Sequence, residues 1–481
     1  MSTAARAISL HSLTRRALSL GAVKVFDQAM NFLLPVVLVR CLDAATFGEY
    51  RLLWLAVGTV MAVATLNMGG SLYFFLPRSK AHGKKVYLHN TVLYFAAAGL
   101  LFALVMNPWN PLLPAPMQAL GPYGALVPAF VGLWVSATLL DYLPTIEERI
   151  RWQAWATLSS SGLRALLVAT GAWVSGDDLH LVLWLLLAVV IYKLALLLLY
   201  VYRHHGLGRP WFQRAAFVAQ LRYSAPFGVS AGLFALRGQI DQWVAASLFA
   251  LSSFAAFTIA ALVGQVVHVF RHSVMEAFLP TMSRMEAGGD VRGMLALNAR
   301  ANVMVGTLLY PLLAFAFAFA EDIVTIVYTA AYVQAGPVMR VYIVGMAAMV
   351  IEMGSVVLLL RQGPFALKVN IVALAVSVAV SWTAAQLIGL AGAACGSVLA
   401  IYLDRAMMLR RVARHTGVAF GALQNWRALA WTLGSAALSA ALAWMFVERM
   451  LEGRGPLTRL LAGAAVLGTA YAAANWARLR R

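Results

Sequence analysis

Apolar residues fill this chain in fourteen stretches, each about as long as a bilayer is thick, separated by short polar segments. The stretches lie near 17–39, 52–76, 86–106, 121–143, 152–174, 179–202, 223–247, 253–279, 301–320, 337–360, 366–386, 390–409, 428–447 and 457–477. A spanning helix needs about 20 mostly apolar residues to cross roughly 30 Å of hydrocarbon. Lipid offers backbone groups no partner, so repeated stretches of this length imply helices. The pattern predicts an all-α integral membrane protein with 14 transmembrane helices. The fifth stretch is the most interrupted, by Ser159, Ser160, Ser161 and Arg164. The segment 321–336 is too short to span and reads as a loop with a short interfacial helix. Composition agrees: 62% of residues are hydrophobic, 11% are charged and the mean hydropathy is +0.79. A soluble domain carries about 25% charge.

Charge settles the expected orientation. Alternate loops and the two ends hold 26 Lys and Arg residues, while the intervening loops hold five: Arg40, Arg51, Arg449, Arg454 and Arg459. Basic loops face the cytoplasm, so both ends of the chain are expected there. Equal sidedness requires an even number of spans, which agrees with fourteen. The formal charge of +19 is then a matter of topology and anionic headgroups. It is not a nucleic-acid footprint. The basic stretch 1–16 leads into a full-length span and does not read as a cleavable leader. Cys41 and Cys395 define no disulfide framework or metal spacing. The longest basic loops run about 20 residues, too few for a separate core, which excludes a grafted catalytic domain. No nucleophile–base pair, P-loop or catalytic carboxylate pair is present. An enzyme is not expected, and neither is a cofactor.

A faint repeat runs through the chain. Phe47, Gly48, Glu49 and Tyr50 open one span, and Phe254, Ala255, Ala256 and Phe257 open another 207 residues later. Six spans separate the copies, so they share orientation. Parallel repeats imply lobes related by an axis along the membrane normal. The expected division is a six-helix lobe over 1–205, a second over 206–415, and two additional helices over 416–481.

Six basic residues remain once the loops are counted, Lys24, Arg164, Lys193, Arg237, Arg271 and Arg340, and the four acids Asp27, Asp241, Glu276 and Glu352 join them inside the spans. A charge at the bilayer centre costs about 2.5–3.5 kcal/mol on insertion scales, so such residues face the bundle interior or a wet cavity. Arg340 lies near a helix start and Lys193 can snorkel, so both read as structural. Lys24, Asp27 and Asn31 share one helical face at i, i+3 and i+7. Pro35 follows and can bend that helix. That face reads as a polar stripe along a cavity, against the plainer reading of a self-satisfied Lys24–Asp27 pair. Arg237 and Asp241 lie at i and i+4 in the seventh span. His268, His272 and Glu276 follow at i, i+4 and i+8 in the eighth. That spacing could suit a metal, but Arg271 lies within one turn of both histidines and would repel a cation. A positive, protonatable stripe with Glu276 as partner is the better reading, and no metal is expected.

Three segments carry a family resemblance. Leu38, Val39, Arg40, Cys41, Leu42 and Asp43 run into Phe47, Gly48, Glu49 and Tyr50, a first-loop pattern. Glu321, Asp322, Ile323 and Val324 lead to Tyr332, Val333, Gln334, Ala335, Gly336 and Pro337. Gly389, Leu390, Ala391, Gly392, Ala393 and Ala394 open the twelfth span. In order and spacing these resemble the polysaccharide transporter family, the Wzx-type oligosaccharide flippases of the multidrug/oligosaccharidyl-lipid/polysaccharide exporter superfamily. One departure is Thr329, Ala330 and Ala331, where that family often has Gly before the Tyr.

The resemblance covers spans 1 to 12 and implies a flippase for an undecaprenyl-diphosphate-linked oligosaccharide of O-antigen, capsule or exopolysaccharide synthesis. Lipid II flippases and cation-coupled multidrug exporters of the same superfamily are the alternatives. On this reading the partners are the lipid-linked glycan, membrane lipids, a glycan polymerase and chain-length machinery. The diphosphate must cross a low-dielectric slab, and basic side chains would offset its desolvation. The expected substrate-binding residues are Lys24, Asn31, Arg237, Arg271, His268 and His272. The expected ion-coupling residues are Asp27, Asp241 and Glu276, with Asp27 favoured because Lys24 is its one expected base.

Overall fold

The computed structural model describes residues 10–206, 208 and 211–479, and it is all-α. The first span is α1 (Leu10–Cys41) and the second is a broken pair, α2 (Ala44–Ala64) and α3 (Met68–Arg78). The third is α4 (Ala81–Val105), and the fourth is α5 (Leu126–Ala137) continued through a 3₁₀ turn into α6 (Leu143–Ile146). Then come α7 (Ile150–Ser175) and α8 (Leu179–His205). The seventh span breaks into α9 (Arg214–Arg237) and α10 (Ile240–Leu248), and the eighth into α11 (Leu251–Ala261) and α12 (Val263–Ala287). A ninth helix, α13 (Val291–Ala318), precedes the short α14 (Ala320–Val327) in the segment expected to hold an interfacial helix. The tenth span breaks into α15 (Ala335–Met349) and α16 (Gly354–Leu359). The last four are α17 (Gly363–Ile388), α18 (Leu390–Thr416), α19 (Trp426–Met450) and α20 (Pro456–Leu479). Ten of these segments are long and apolar enough to cross a membrane unaided. The other four expected spans are the polar α7 and the three broken ones, the seventh, eighth and tenth.

The chain divides into two compact units, Met1–Ala235 and Leu236–Arg481. The division falls at the end of α9, about one span beyond the boundary at 205 drawn from the repeat. In the first unit α1 packs on α7, α4 on α5 and α7 on α8. In the second α17 packs on α18, α15 on α18, and α13 on α19, which pairs with α20.

The family-like motif residues are mostly packing residues. Asp43 caps α2 by accepting from the Thr46 N–H at 2.8 Å, while Phe47 and Tyr50 are buried. In the second unit Phe254 and Phe257 take the same places at the start of α11 and are fully buried. A Cβ at Gly392 would sit 2.1 Å from the Ala384 carbonyl oxygen, so only glycine lets α18 approach α17 this closely.

Breaks inside a membrane are tolerated where the surrounding protein satisfies the freed backbone. In the second span the chain turns through Leu66 and Asn67, both at positive φ. Tyr94 donates to the Ala64 carbonyl there at 2.8 Å. In the tenth span two asparagines one turn apart on α13 hold the break. Asn302 accepts from the Glu352 N–H at 3.1 Å, and Asn298 donates to the Glu352 carbonyl at 3.1 Å.

Candidate functional site

Each unit carries its own polar cluster, partly buried in the first and buried in the second. In the first, Ser161 on α7 donates to Asp27 on α1, and Arg164 donates to Asn31 at 2.6 Å. The Arg164 guanidinium lies 3.9 Å from Asp27, and Asn31 donates to Asp27 at 3.4 Å. Asp27 and Asn31 are one turn apart on α1, as Ser161 and Arg164 are on α7, so packing the two helices brings four polar side chains together. The Arg164 guanidinium also sits 5.7 Å from the Trp54 ring centroid, within cation–π range. The residues that made the fifth span look poor are thus partners for the polar stripe of the first. Lys24 is exposed, and no ion pair joins it to Asp27 among the described residues.

Lys193 makes a separate pair with Asp141 at 2.8 Å, with its ammonium 5.0 Å from the Trp134 ring centroid. In the second unit Arg340 forks onto Glu321. Both contacts are side-chain pairs that neutralise a charge, on mid-helix Lys193 in one case and near the start of α15 in the other.

The second unit gathers more charge. Arg237, at the end of α9, donates to Asn370 on α17 at 2.9 Å and lies 3.5 Å from Asp404 on α18. Arg405 lies 3.7 Å from the other Asp404 oxygen. Arg271 on α12 lies 4.0 Å from Glu352, whose carboxylate also accepts from the Ser355 N–H at 3.1 Å and so caps α16. Three guanidinium groups therefore face two carboxylates, and the balance is positive. All three ion pairs are longer than the 2.7–2.9 Å of a charge-assisted hydrogen bond.

Asp241 is placed differently from its sequence neighbours. The break at Gly238 and Gln239 separates it from Arg237, so the i, i+4 pair does not form. Instead Tyr342 donates to Asp241 at 2.6 Å and the Gln242 N–H at 2.8 Å. The residue is 3% exposed and has no basic ion-pair partner among the described residues.

His268 and Glu276 are exposed on α12, and the side chain of His272 lies outside the described residues. Among the described residues no group of three or more His, Cys, Asp or Glu side chains could hold a metal ion. Asp404 and Arg405 are members of the site that the sequence reading passed over. The signal was there: an acid well inside the twelfth span.

Long apolar helices, broken spans and buried charge clusters define a multi-pass, all-helical membrane protein. A family model described as lipid II flippase MurJ matches residues 163–462, more than half of the chain, and the chain belongs to that family. Among solved structures it is similar to a lipid II flippase MurJ in an inward closed conformation. The TM-score is 0.72 at 12% identity, over 96% of this chain and 99% of that one. An inward-facing multidrug resistance MATE transporter of the MOP superfamily matches with a TM-score of 0.66 at 11% identity, over 82% and 96% of the two chains. A MOP superfamily transporter from Pyrococcus furiosus, described as having a binding pocket of reverse polarity, matches at 0.55 and 12% identity, over 84% and 96%. No curated protein matches in sequence.

The family shown is MurJ, and the polysaccharide-transporter branch expected from the motifs is not shown. The physical reason lies in the motif residues themselves. Phe47, Tyr50, Tyr332 and Ala393 are buried, so these motif residues hold helices together and present no surface to a cargo.

Proposed function

We propose that this protein moves lipid II, the polyprenyl-diphosphate-linked precursor of peptidoglycan, across the inner membrane. Family membership supports the cargo class. The observation that carries the reading is the arginine-rich cluster of the second unit. Arg237, Arg271 and Arg405 outnumber Asp404 and Glu352 in a buried setting, which favours an anionic headgroup over a cationic drug. In the first unit Lys24 and Asn31 give α1 a polar face of its own, and in the second His268 adds a protonatable group on α12. The polyprenyl tail stays in lipid.

Transport against a gradient needs a coupled ion. A buried acid without a basic partner is the group best suited to take up H⁺ or Na⁺. Asp241 meets that description, whereas Asp27 faces Arg164. Glu276 is exposed at a helix flank and is the weaker candidate. Both ends of the chain face the cytoplasm, as the loop charges require.

The motif resemblance favours a second reading, flipping of a lipid-linked O-antigen, capsule or exopolysaccharide unit. Contact with a glycan polymerase and chain-length machinery belongs to that reading. Reconstitution in liposomes separates the two. Wild-type protein should flip fluorescent lipid II in preference to a lipid-linked oligosaccharide unit, and Arg237→Ala should abolish flipping at unchanged abundance. Equal or better flipping of the oligosaccharide unit would move the assignment to the second reading.

A further inference from the structure

We infer that Asp404 is a resident counter-anion, which holds Arg237 and Arg405 between transport events and yields both guanidinium groups to the diphosphate of the cargo. The inference rests on the flippase reading above and names the pair that would bind the headgroup.

Four observations carry it. Asp404 is 4% exposed, so its charge is neutralised by the protein and not by water. Its two oxygens face different arginines, Arg237 at 3.5 Å and Arg405 at 3.7 Å. A buried carboxylate–guanidinium pair built for stability closes to 2.7–2.9 Å and is often bidentate. Asp404 and Arg405 are adjacent on one helix, and neighbours at i, i+1 do not face each other, so that pair cannot tighten. Donors and acceptors are also left over. Asp404 Oδ1 and Arg405 Nε are buried without a hydrogen-bond partner among the described residues, as is Arg271 Nε nearby. Unmet groups of this kind in a low-dielectric setting are costly, and they mark a place where a further partner is accommodated. Finally, Arg237 has an independent anchor, the Asn370 side chain at 2.9 Å. It keeps its position when the carboxylate lets go.

A diphosphate carries more charge and more acceptor oxygens than one carboxylate, so it outcompetes Asp404 for two guanidinium forks. When the cargo leaves, Asp404 takes the arginines back. The carboxylate therefore weakens cargo binding and speeds cargo release. Removing it should separate affinity from turnover.

The test uses full-length protein in lipid nanodiscs with undecaprenyl diphosphate as probe and undecaprenol as the uncharged control. Asp404→Asn should bind the diphosphate on the order of tenfold more tightly, bind undecaprenol as before, and flip more slowly. Asp404→Glu should restore both quantities. Arg405→Gln should weaken diphosphate binding by a similar factor, and it decides the matter alone if the Asn variant fails to accumulate. Equal or weaker binding by Asp404→Asn, or unchanged binding by Arg405→Gln, would overturn the inference and leave the flippase reading standing. A wild-type protein that binds no polyprenyl diphosphate would defeat the flippase reading itself, and this inference with it.

Discussion

Asp27 lies on α1 in the first unit and Asp241 on α10 in the second, and different groups face them. Arg164 lies 3.9 Å from Asp27, and Ser161 and Asn31 complete a small network. Removing one partner of such a pair strands the other charge. Asp27→Asn leaves the Arg164 guanidinium with Asn31 alone, which costs about 1–3 kcal/mol. The expected outcome is a melting temperature several degrees lower, read by thermal unfolding of the purified protein, with ion dependence retained. Asp241 is held by the Tyr342 hydroxyl instead. An Asn side chain can keep that hydrogen bond while losing the ability to take up a cation. Asp241→Asn should therefore accumulate normally and transport at a rate indifferent to external pH and Na⁺. Wild-type ion dependence in that variant would remove Asp241 from coupling. The sequence spacing leaned toward Asp27 because it counts residues along one helix. It could neither anticipate Arg164 arriving from α7 nor see that the break after Arg237 frees Asp241.

The broken helices are where the sequence was least legible. Fourteen apolar stretches are visible because spanning length and polarity are properties of the chain alone. A break leaves hydropathy unchanged, so the interruptions at 238–239 and 350–353 could not be read from it. Their causes lie in other helices, such as Asn298 and Asn302 reaching from α13 to the backbone of Glu352. Asp404 was missed for a related reason, since its meaning depends on Arg237 coming from α9. The turn in the second span has a cause of the same kind. A Cβ at Gly228 on α9 would fall 2.3 Å from the Leu66 carbonyl carbon, and backbone cannot move aside cheaply. Gly228→Ala should destabilise by about 1–3 kcal/mol, whereas Gly21→Ala meets nothing within 4 Å and serves as the control. Equal melting temperatures for the two variants would show that α9 does not bear on that turn.

For the molecule as a whole, the basic loops predict an orientation that the fold alone does not state. Reporter fusions after residues 83, 207 and 481 should report cytoplasm, and those after 112 and 177 periplasm. Reversal at two or more of these sites would sink the topology. Fold class was legible because fourteen spans admit few architectures. The cargo branch was not, because the recognisable motif residues such as Phe47, Tyr50 and Tyr332 are buried in packing, while Arg237, Asp404 and Arg405 follow no short pattern. The central claim is lipid II translocation, and the most direct measurement is the leaflet distribution of lipid II in bacteria depleted of their own lipid II flippase. Expression of this protein should restore lipid II to the outer leaflet, and Arg237→Ala should fail to do so at equal abundance. Lipid II that stays in the inner leaflet with the wild-type protein present and correctly inserted would contradict the account.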